Sequence, residues 1–326
     1  MCTAVTYKTK NHYFGRNLDL EYSYNETVVI TPRNVPFSFY KVKNIHTHYA
    51  MIGMGIVVEN YPLYFDATNE KGLSMAGLNF PGNAVYREEA EGKDNVSPFE
   101  LIPWILGQCS SVSEAREKLS QINLVNINFS IELPLTPLHW MISDSKESIT
   151  VEPLKDGLKV YENPVGILTN NPSFDLHMFY LNNYMQLTAE PPCNRFSHKL
   201  KLEPYSRGMG AMGMPGDLSS MSRFVRAAFT KMNSVSGQQE EESISQFFHI
   251  LASVRQQRGC VHMGRGKYEI TVYSSCCNTD KGIYYYTTYE NSQITAVDMH
   301  NEDLEGDKVI VYPLVKKQQI KMQNGR

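Results

Sequence analysis

The order of its periodic segments constrains this chain more than any other feature. Thr3 to Tyr7, Tyr13 to Gly15, Glu26 to Thr31 and Ala50 to Val58 read as strands. Pro62 to Ala67 and Leu73 to Leu78 flank Asn69-Glu70-Lys71-Gly72, a hairpin turn that leaves Asn79 just past a strand. Ser97 opens a helix, with Pro98 at its first position and Glu100 completing a capping box, and Ser113 to Leu119 reads as a second. From Leu138 to Thr169 the strand pattern returns as LHWMISD, SITVE, LKVYE and GILT, which reads as a second antiparallel sheet. Helices are expected at Phe174 to Tyr184, Ser220 to Lys231 and Glu242 to Val254, then strands at Tyr268 to Ser274, Gly282 to Thr287 and Thr295 to Met299. Strands, helices, strands, helices, strands is an α+β succession: antiparallel sheets covered by helices, not alternating βαβ units.

The 326 residues suit one large domain, with 189–217, rich in Pro, Gly and Met, as a projecting loop and KKQQIKMQNGR as a solvated tail. An apolar share of 42% with 20% charged residues supports a sizeable core. Lys and Arg number 31 against 34 Asp and Glu, a net −3, and are scattered singly, which argues against nucleic acid as a partner. The opening MCTAVTYKTKNHYFGRN holds no apolar run of seven or more, so no secretory signal is expected, and glycines at 53 and 55 break the best apolar run, so neither is membrane insertion. Cys2, Cys109, Cys193, Cys260, Cys276 and Cys277 make a poor disulfide framework, and free thiols in the cytoplasm are expected. Asn25, Asn95 and Asn128 open glycosylation sequons that carry no weight without secretion.

Cys2 carries the chemistry. Removal of Met1 would leave its thiol and a free α-amine on one residue. A thiol titrates near ~8.5 and an α-amine near ~7.7 to 8.0, so the amine can take the thiol proton without a distant histidine. Such a thiolate suits amide hydrolysis.

Other motifs fall short. Gly208-Met-Gly-Ala-Met-Gly213 matches a dinucleotide fingerprint but lacks the strand before it, the helix after it and the downstream acid. His46 and His48 have no third ligand of suitable spacing, and no HExxH, CxxC or GxSxG occurs, so neither metal nor cofactor is expected. One of the adjacent Cys276 and Cys277 should be buried, since they point to opposite sides of a strand. Met209, Met212, Met214 and Met221 form a thioether cluster suited to core filling or to a rigid apolar ligand. Phe129, Ile131, Leu133, Leu135 and Leu138 alternate with polar residues and prolines, as a strand edge or an apolar pocket wall would.

MCTAVTY, Phe14-Gly-Arg-Asn-Leu-Asp19, Asn69-Glu-Lys-Gly-Leu-Ser-Met-Ala-Gly-Leu-Asn79, Gly166-Ile-Leu-Thr-Asn170-Asn-Pro, Leu218-Ser-Ser-Met-Ser-Arg223-Phe, Tyr273-Ser-Ser-Cys-Cys277 and Lys281-Gly-Ile-Tyr-Tyr-Tyr286 occur in an order that resembles the choloylglycine hydrolase family over nearly the whole chain. Within it the likeness is to bile salt hydrolases, with penicillin V acylases as the sister group, whose position matching Asn79 is commonly tyrosine. The resemblance implies an N-terminal nucleophile hydrolase fold, a four-layer αββα sandwich of two antiparallel sheets between helices. It also implies a homotetramer, with 189–217 as an assembly arm, and a conjugated bile salt as substrate.

Carried over by position, Cys2 is the nucleophile, Arg16 and Asp19 neighbour its thiol and amine, Asn79 and Asn170 form the oxyanion hole, and Arg223 supports the cluster. Leu20, Tyr24, Ile56, Phe65, Phe129, Leu133 and Leu138 are candidate pocket-wall residues, chosen for apolar character near these segments. A penicillin V acylase and a non-catalytic sterol-binding protein are the competing readings. All six catalytic positions being filled argues against the second.

Overall fold

A computed structural model describes residues 1–325. In chain order the elements are β1 (Cys2–Lys8), β2 (His12–Leu20), β3 (Thr27–Thr31), β4 (Met51–Val58), β5 (Tyr61–Asn69), β6 (Ser74–Asn79), β7 (Asp94–Val96), α1 (Leu101–Leu106), α2 (Val112–Gln121) and β8 (Ile122–Leu124). Then follow β9 (Leu138–Ser143), β10 (Ser148–Leu154), β11 (Gly157–Glu162), β12 (Ile167–Leu168), α3 (Phe174–Tyr180), α4 (Ser220–Asn233) and α5 (Glu240–Ala252). The chain ends with β13 (His262–Gly264), β14 (Lys267–Tyr268), β15 (Ile270–Asn278), β16 (Ile283–Thr288), β17 (Thr295–Asp298) and β18 (Ile310–Pro313).

One antiparallel sheet runs β12-β1-β2-β15-β16-β17 and the other β11-β10-β9-β6-β5-β4-β3-β18. Helices α4 and α5 cover the first sheet, α1 and α2 cover the second, and the sheets face each other with β1 and β2 against β6. This is the expected αββα sandwich. One apolar core lies around the first sheet, between α4, α5 and the inner face of the second; another lies between the second sheet and α1 and α2.

The sheets do not divide as the sequence order suggests. The segment 138–169 is not a second sheet: β9, β10 and β11 extend the sheet begun by β3 to β6, through the pairing of β6 with β9, while β12 joins β1. Local patterning marks strands but not their distant partners. The first sheet is buried on both faces, so its strands lose the alternation that sequence reading relies on. β2 therefore runs nine residues where three were expected, because three of the four residues that continue it, Arg16, Asn17 and Asp19, are polar yet buried. Both Cys276 and Cys277, not one, are buried for the same reason.

The turn at 69–72 forms as expected, with Gly72 at φ +85° and the Asn69 side chain accepting from the Lys71 and Leu73 N–H groups, each at 3.0 Å. Asn79 is the last residue of β6 rather than the one beyond it. Only half of the Ser97 box is made: the Glu100 carboxylate accepts from the Ser97 N–H at 2.9 Å, the Ser97 hydroxyl has no partner, and α1 begins at Leu101. The alternating stretch after Phe129 is loop as far as Leu138, with Ile131 exposed. Gly208 to Gly213 folds as a 3-10 turn, Met209–Ala211. Sequence reading missed the small pairs β7–β8 and β13–β14 and the edge strand β18.

Candidate active site

In the β1–β2 ladder Cys2 lies opposite Leu18, Thr3 opposite Asn17, and Ala4 opposite Arg16. Directly opposed residues share a face, so Cys2, Leu18 and Arg16 face the second sheet while Thr3 and Asn17 face the helices. Asn17 Nδ2 accordingly donates to Leu251 O of α5 at 3.0 Å.

Arg16 fills a fork. β5 and β6 pair only from Asp66–Thr68 to Ser74–Ala76, and Phe65 bulges out of the β4–β5 ladder. Into the parting, Arg16 Nη1 donates to Phe65 O at 2.9 Å and Gly77 O at 2.6 Å. Its Nη2 has no hydrogen-bond partner. Burial works against the guanidinium charge, but Cys2, Tyr273 and Asp66 outweigh it and hold its pKa above the ordinary arginine value. Behind it, Asp66 accepts from the hydroxyls of Tyr273 and Tyr284, each at 2.6 Å. Burial nevertheless raises the Asp66 pKa, with Arg16 and the two hydroxyls opposing.

Asp19 Oδ1 accepts from Thr271 Oγ1 at 2.6 Å, while Oδ2 is buried without a partner. Burial raises the pKa of this carboxyl, against Arg223 and the α-amine. The Met1 α-amine donates to Asp19 O at 2.7 Å and to the Glu269 carboxylate. Burial pushes this amine below its ordinary value of 8.0.

The Cys2 N–H donates to Asn170 Oδ1 at 2.7 Å, and Arg223 Nη2 donates to the same oxygen at 2.8 Å. Two donors fix the amide's orientation, so Nδ2 turns to Asn79 O, 2.7 Å away. Phe80 N–H donates to Pro137 O at 2.7 Å, which makes Asn79 the non-bonded partner of Leu138 in the antiparallel alternation. The Asn79 N–H and C=O therefore both point away from β9, toward Asn170. Arg223 is fully buried and also donates to Leu218 O, Cys2 O and Thr3 Oγ1. The structure thus gathers all six candidates around one thiol.

The wall candidates divide. Leu20 and Phe65 pack on the first core, Tyr24 lies 5.8 Å from the Phe65 ring, and Leu138 sits opposite Asn79. Phe129 joins a separate aromatic group, 5.2 Å from Phe99 and 5.8 Å from Tyr61. Ile56 and Leu133 are half-buried and make none of the hydrogen bonds or ring contacts that tie the site together. Two surface cavities, of about 250 and 680 Å³, are lined by no residue of the site. Sequence reasoning missed Asp66, Thr271, Glu269, His139 and His177. A lone carboxylate inside the apolar run Pro62 to Ala67 was a usable signal for the first.

No group of three or more His, Cys, Asp and Glu among the described residues is placed to hold a metal ion, and no helix there is long and apolar enough to cross a membrane. His48, one of the two histidines weighed as ligands, has both ring nitrogens against carbonyls, of Tyr49 at 2.7 Å and Val35 at 2.8 Å.

The sequence model of a family described as linear amide C-N hydrolases, choloylglycine hydrolase family, matches residues 2–312, starting at Cys2. A bile salt hydrolase/transferase of Lactiplantibacillus plantarum is 60% identical over 314 residues, 96% of this chain and 97% of that protein. A conjugated bile acid hydrolase of Lactobacillus acidophilus is 38% identical over 96% of this chain and 100% of its own. The crystal structure of the C2A mutant of a conjugated bile acid hydrolase from Clostridium perfringens superposes with a TM-score of 0.92 at 40% identity, covering 99% of this chain and 100% of that one. A penicillin V acylase from Agrobacterium tumefaciens shares the fold, with a TM-score of 0.76 at 18% identity, covering 96% of this chain and 91% of that one.

Proposed function

Because the chain belongs to the choloylglycine hydrolase family of linear amide C-N hydrolases, we propose that it hydrolyses the amide bond of glycine- or taurine-conjugated bile salts, with Cys2 as N-terminal nucleophile. The observation that carries this reading is the convergence on Cys2 of a buried guanidinium nitrogen without a hydrogen-bond partner, Arg16 Nη2, a buried carboxylate oxygen without one, Asp19 Oδ2, and the Asn79–Asn170 pair.

With Met1 gone, the buried Cys2 nitrogen becomes a free α-amine, a group that titrates near ~7.7 to 8.0 and can serve as a base near neutral pH. It takes the thiol proton. The thiolate, facing Arg16, attacks the amide carbonyl, and the tetrahedral oxyanion is received by the Asn79 N–H and the second hydrogen of Asn170 Nδ2. Such donors act most strongly as charge develops, and losing one typically costs about 10² to 10³ in rate. Asp19 Oδ2 orients the ammonium, which protonates the leaving nitrogen and frees glycine or taurine. The amine then deprotonates a water that cleaves the thioester. Several relatives are named transferases as well as hydrolases, and an amine competing with water for the same thioester would give that outcome here.

The steroid would lie against Leu20, Tyr24, Phe65 and Leu138. A homotetramer, in which exposed Phe196 and Tyr205 of 189–217 are covered by another copy, accompanies this reading. Six free cysteines suit a reducing cytoplasm.

Glycine release from glycocholate, measured beside penicillin V cleavage, tests the reading. Cys2→Ala should abolish release and Cys2→Ser should cut it severely. Parental turnover in Cys2→Ala, or preference for penicillin V, would overturn it.

A further inference from the structure

Behind the proposed oxyanion donors lies a fully buried pair that the mechanism above does not use. His139, on β9 opposite Leu78 of β6, and Glu152, on β10, have no exposed side-chain surface. His139 Nδ1 lies 2.9 Å from Glu152 Oε1 and Nε2 lies 2.9 Å from Thr169 O. The ring stacks on Phe80 at 4.1 Å with an interplanar angle of 6°. One imidazole therefore touches the residue before Asn170 and the residue after Asn79.

We infer that His139, held by Glu152, is a positioning residue that sets Asn170 through Thr169 and Asn79 through Phe80. The inference rests on the oxyanion reading above. A carbonyl oxygen only accepts, so Nε2 carries hydrogen, and the ring cannot turn without stranding either Thr169 O or the carboxylate. Glu152 is itself fixed, because its two oxygens accept from the Phe174 N–H at the start of α3, at 3.1 and 3.2 Å. The same helix carries His177, whose Nε2 donates to Asn170 O at 2.9 Å. Ser220 Oγ takes the Asn170 N–H at 2.8 Å. With Oδ1 already held by Arg223 and the Cys2 N–H, the peptide leading into Asn170 is held at both ends, its N–H by Ser220 and the Thr169 carbonyl by His139. A buried hydrogen-bonded pair can equally be a mere packing element, and the two roles differ in what they do to turnover. Misplacing a donor by about 1 Å is worth on the order of 10²-fold in rate and leaves ground-state binding alone.

Two conservative replacements separate the roles, since the amide nitrogen of glutamine reaches the place of imidazole Nε2 and that of asparagine the place of Nδ1. Glycocholate kinetics, thermal melts and the rate of iodoacetamide labelling at Cys2, followed by peptide mass, are measured for His139→Gln, His139→Asn, Glu152→Asp and Asn170→Ala. Alkylation displaces iodide and forms no oxyanion, so it reports the nucleophile alone. His139→Gln should keep kcat within about threefold of the parent and His139→Asn should lower it by about 10- to 100-fold, both with unchanged KM and unchanged Cys2 labelling. Glu152→Asp leaves the ring in place but loosens its clamp, and should lower kcat by about three- to tenfold at constant KM.

Equal losses in the two histidine variants, or losses carried by KM or by Cys2 labelling, would overturn the positioning role. If neither histidine variant folds, an unchanged kcat in Glu152→Asp overturns it. A loss in Asn170→Ala beside parental His139→Asn defeats this inference alone, whereas parental kcat in Asn170→Ala defeats the oxyanion reading beneath it.

Discussion

Two fully buried arginines flank Cys2, and they are held in opposite ways. Arg16 belongs to a compensated network: Asp66 and two tyrosine hydroxyls stand behind it, and one of its nitrogens is left free beside the thiol. Arg223 donates to neutral oxygens, as Arg16 does, but with all three of its nitrogens, to Leu218 O, Cys2 O, Thr3 Oγ1 and Asn170 Oδ1. Burial depresses its pKa, with Asp19 and Cys2 opposing. The contrast separates two tasks. In the proposed mechanism Arg16 offers charge to the reacting sulfur, whereas Arg223 ties β1 to α4 and fixes the Asn170 amide.

Arg223→Ala should therefore show the largest effect on the fold. Cys2 O and Thr3 Oγ1 would lose the guanidinium outright, while Asn170 Oδ1 would keep only the Cys2 N–H and Leu218 O only Gln256 Nε2, and at about 1 to 3 kcal/mol for each stranded group the variant should unfold at far lower urea or fail to accumulate. A urea midpoint near the parent's would break the comparison.

Arg16 can be removed together with its counter-charge. The double variant Arg16→Gln/Asp66→Asn deletes both ions and should stay within about 1.5 kcal/mol of parental stability, as balanced removal of a buried pair often does. Its kcat/KM for glycocholate should still fall by about 10² to 10³. A double variant that keeps its activity would show that Arg16 is scaffold as well.

How much of this was legible follows from where each residue sits. Cys2, Arg16, Asp19, Asn79, Asn170 and Arg223 lie in segments whose order along the chain marks the family, so each is legible without the fold. The order of segments also gave the α+β class. The sheet partition was not legible, because pairing β6 with β9 and β1 with β12 is a long-range choice that alternation does not encode. Asp66, His139 and Glu152 escaped notice because each is one polar residue within a buried strand, and only a partner from a distant strand reveals its purpose.

A last expected effect is on pH dependence, and it differs between the two sides. On the Arg223 side His177 is pushed down to about 4, chiefly by burial, with His139 and Arg223 adding to the shift. The unfolded chain, with an ordinary value of 6.5, binds the proton first. Stability is therefore complete above about 6.5 and falls as pH drops toward 4, by up to about 1.4 kcal/mol per pH unit for this histidine. His12, also about 4 through burial, adds to the same slope. On the Arg16 side Asp66 is raised, so its contribution has the opposite sign: it is present at low pH and lost as pH rises through the folded value. Urea titrations from pH 4 to 7 should show His177→Asn flattening the acid limb. An acid limb unchanged in that variant would place the sensitivity elsewhere.

Intact mass of the purified protein, taken before and after brief iodoacetamide treatment and paired with glycocholate turnover, bears most directly on the central claim. The account predicts a chain lacking Met1, with labelling of Cys2 and loss of turnover advancing together. Full turnover by a chain that still carries Met1, or by one alkylated at Cys2, would contradict it.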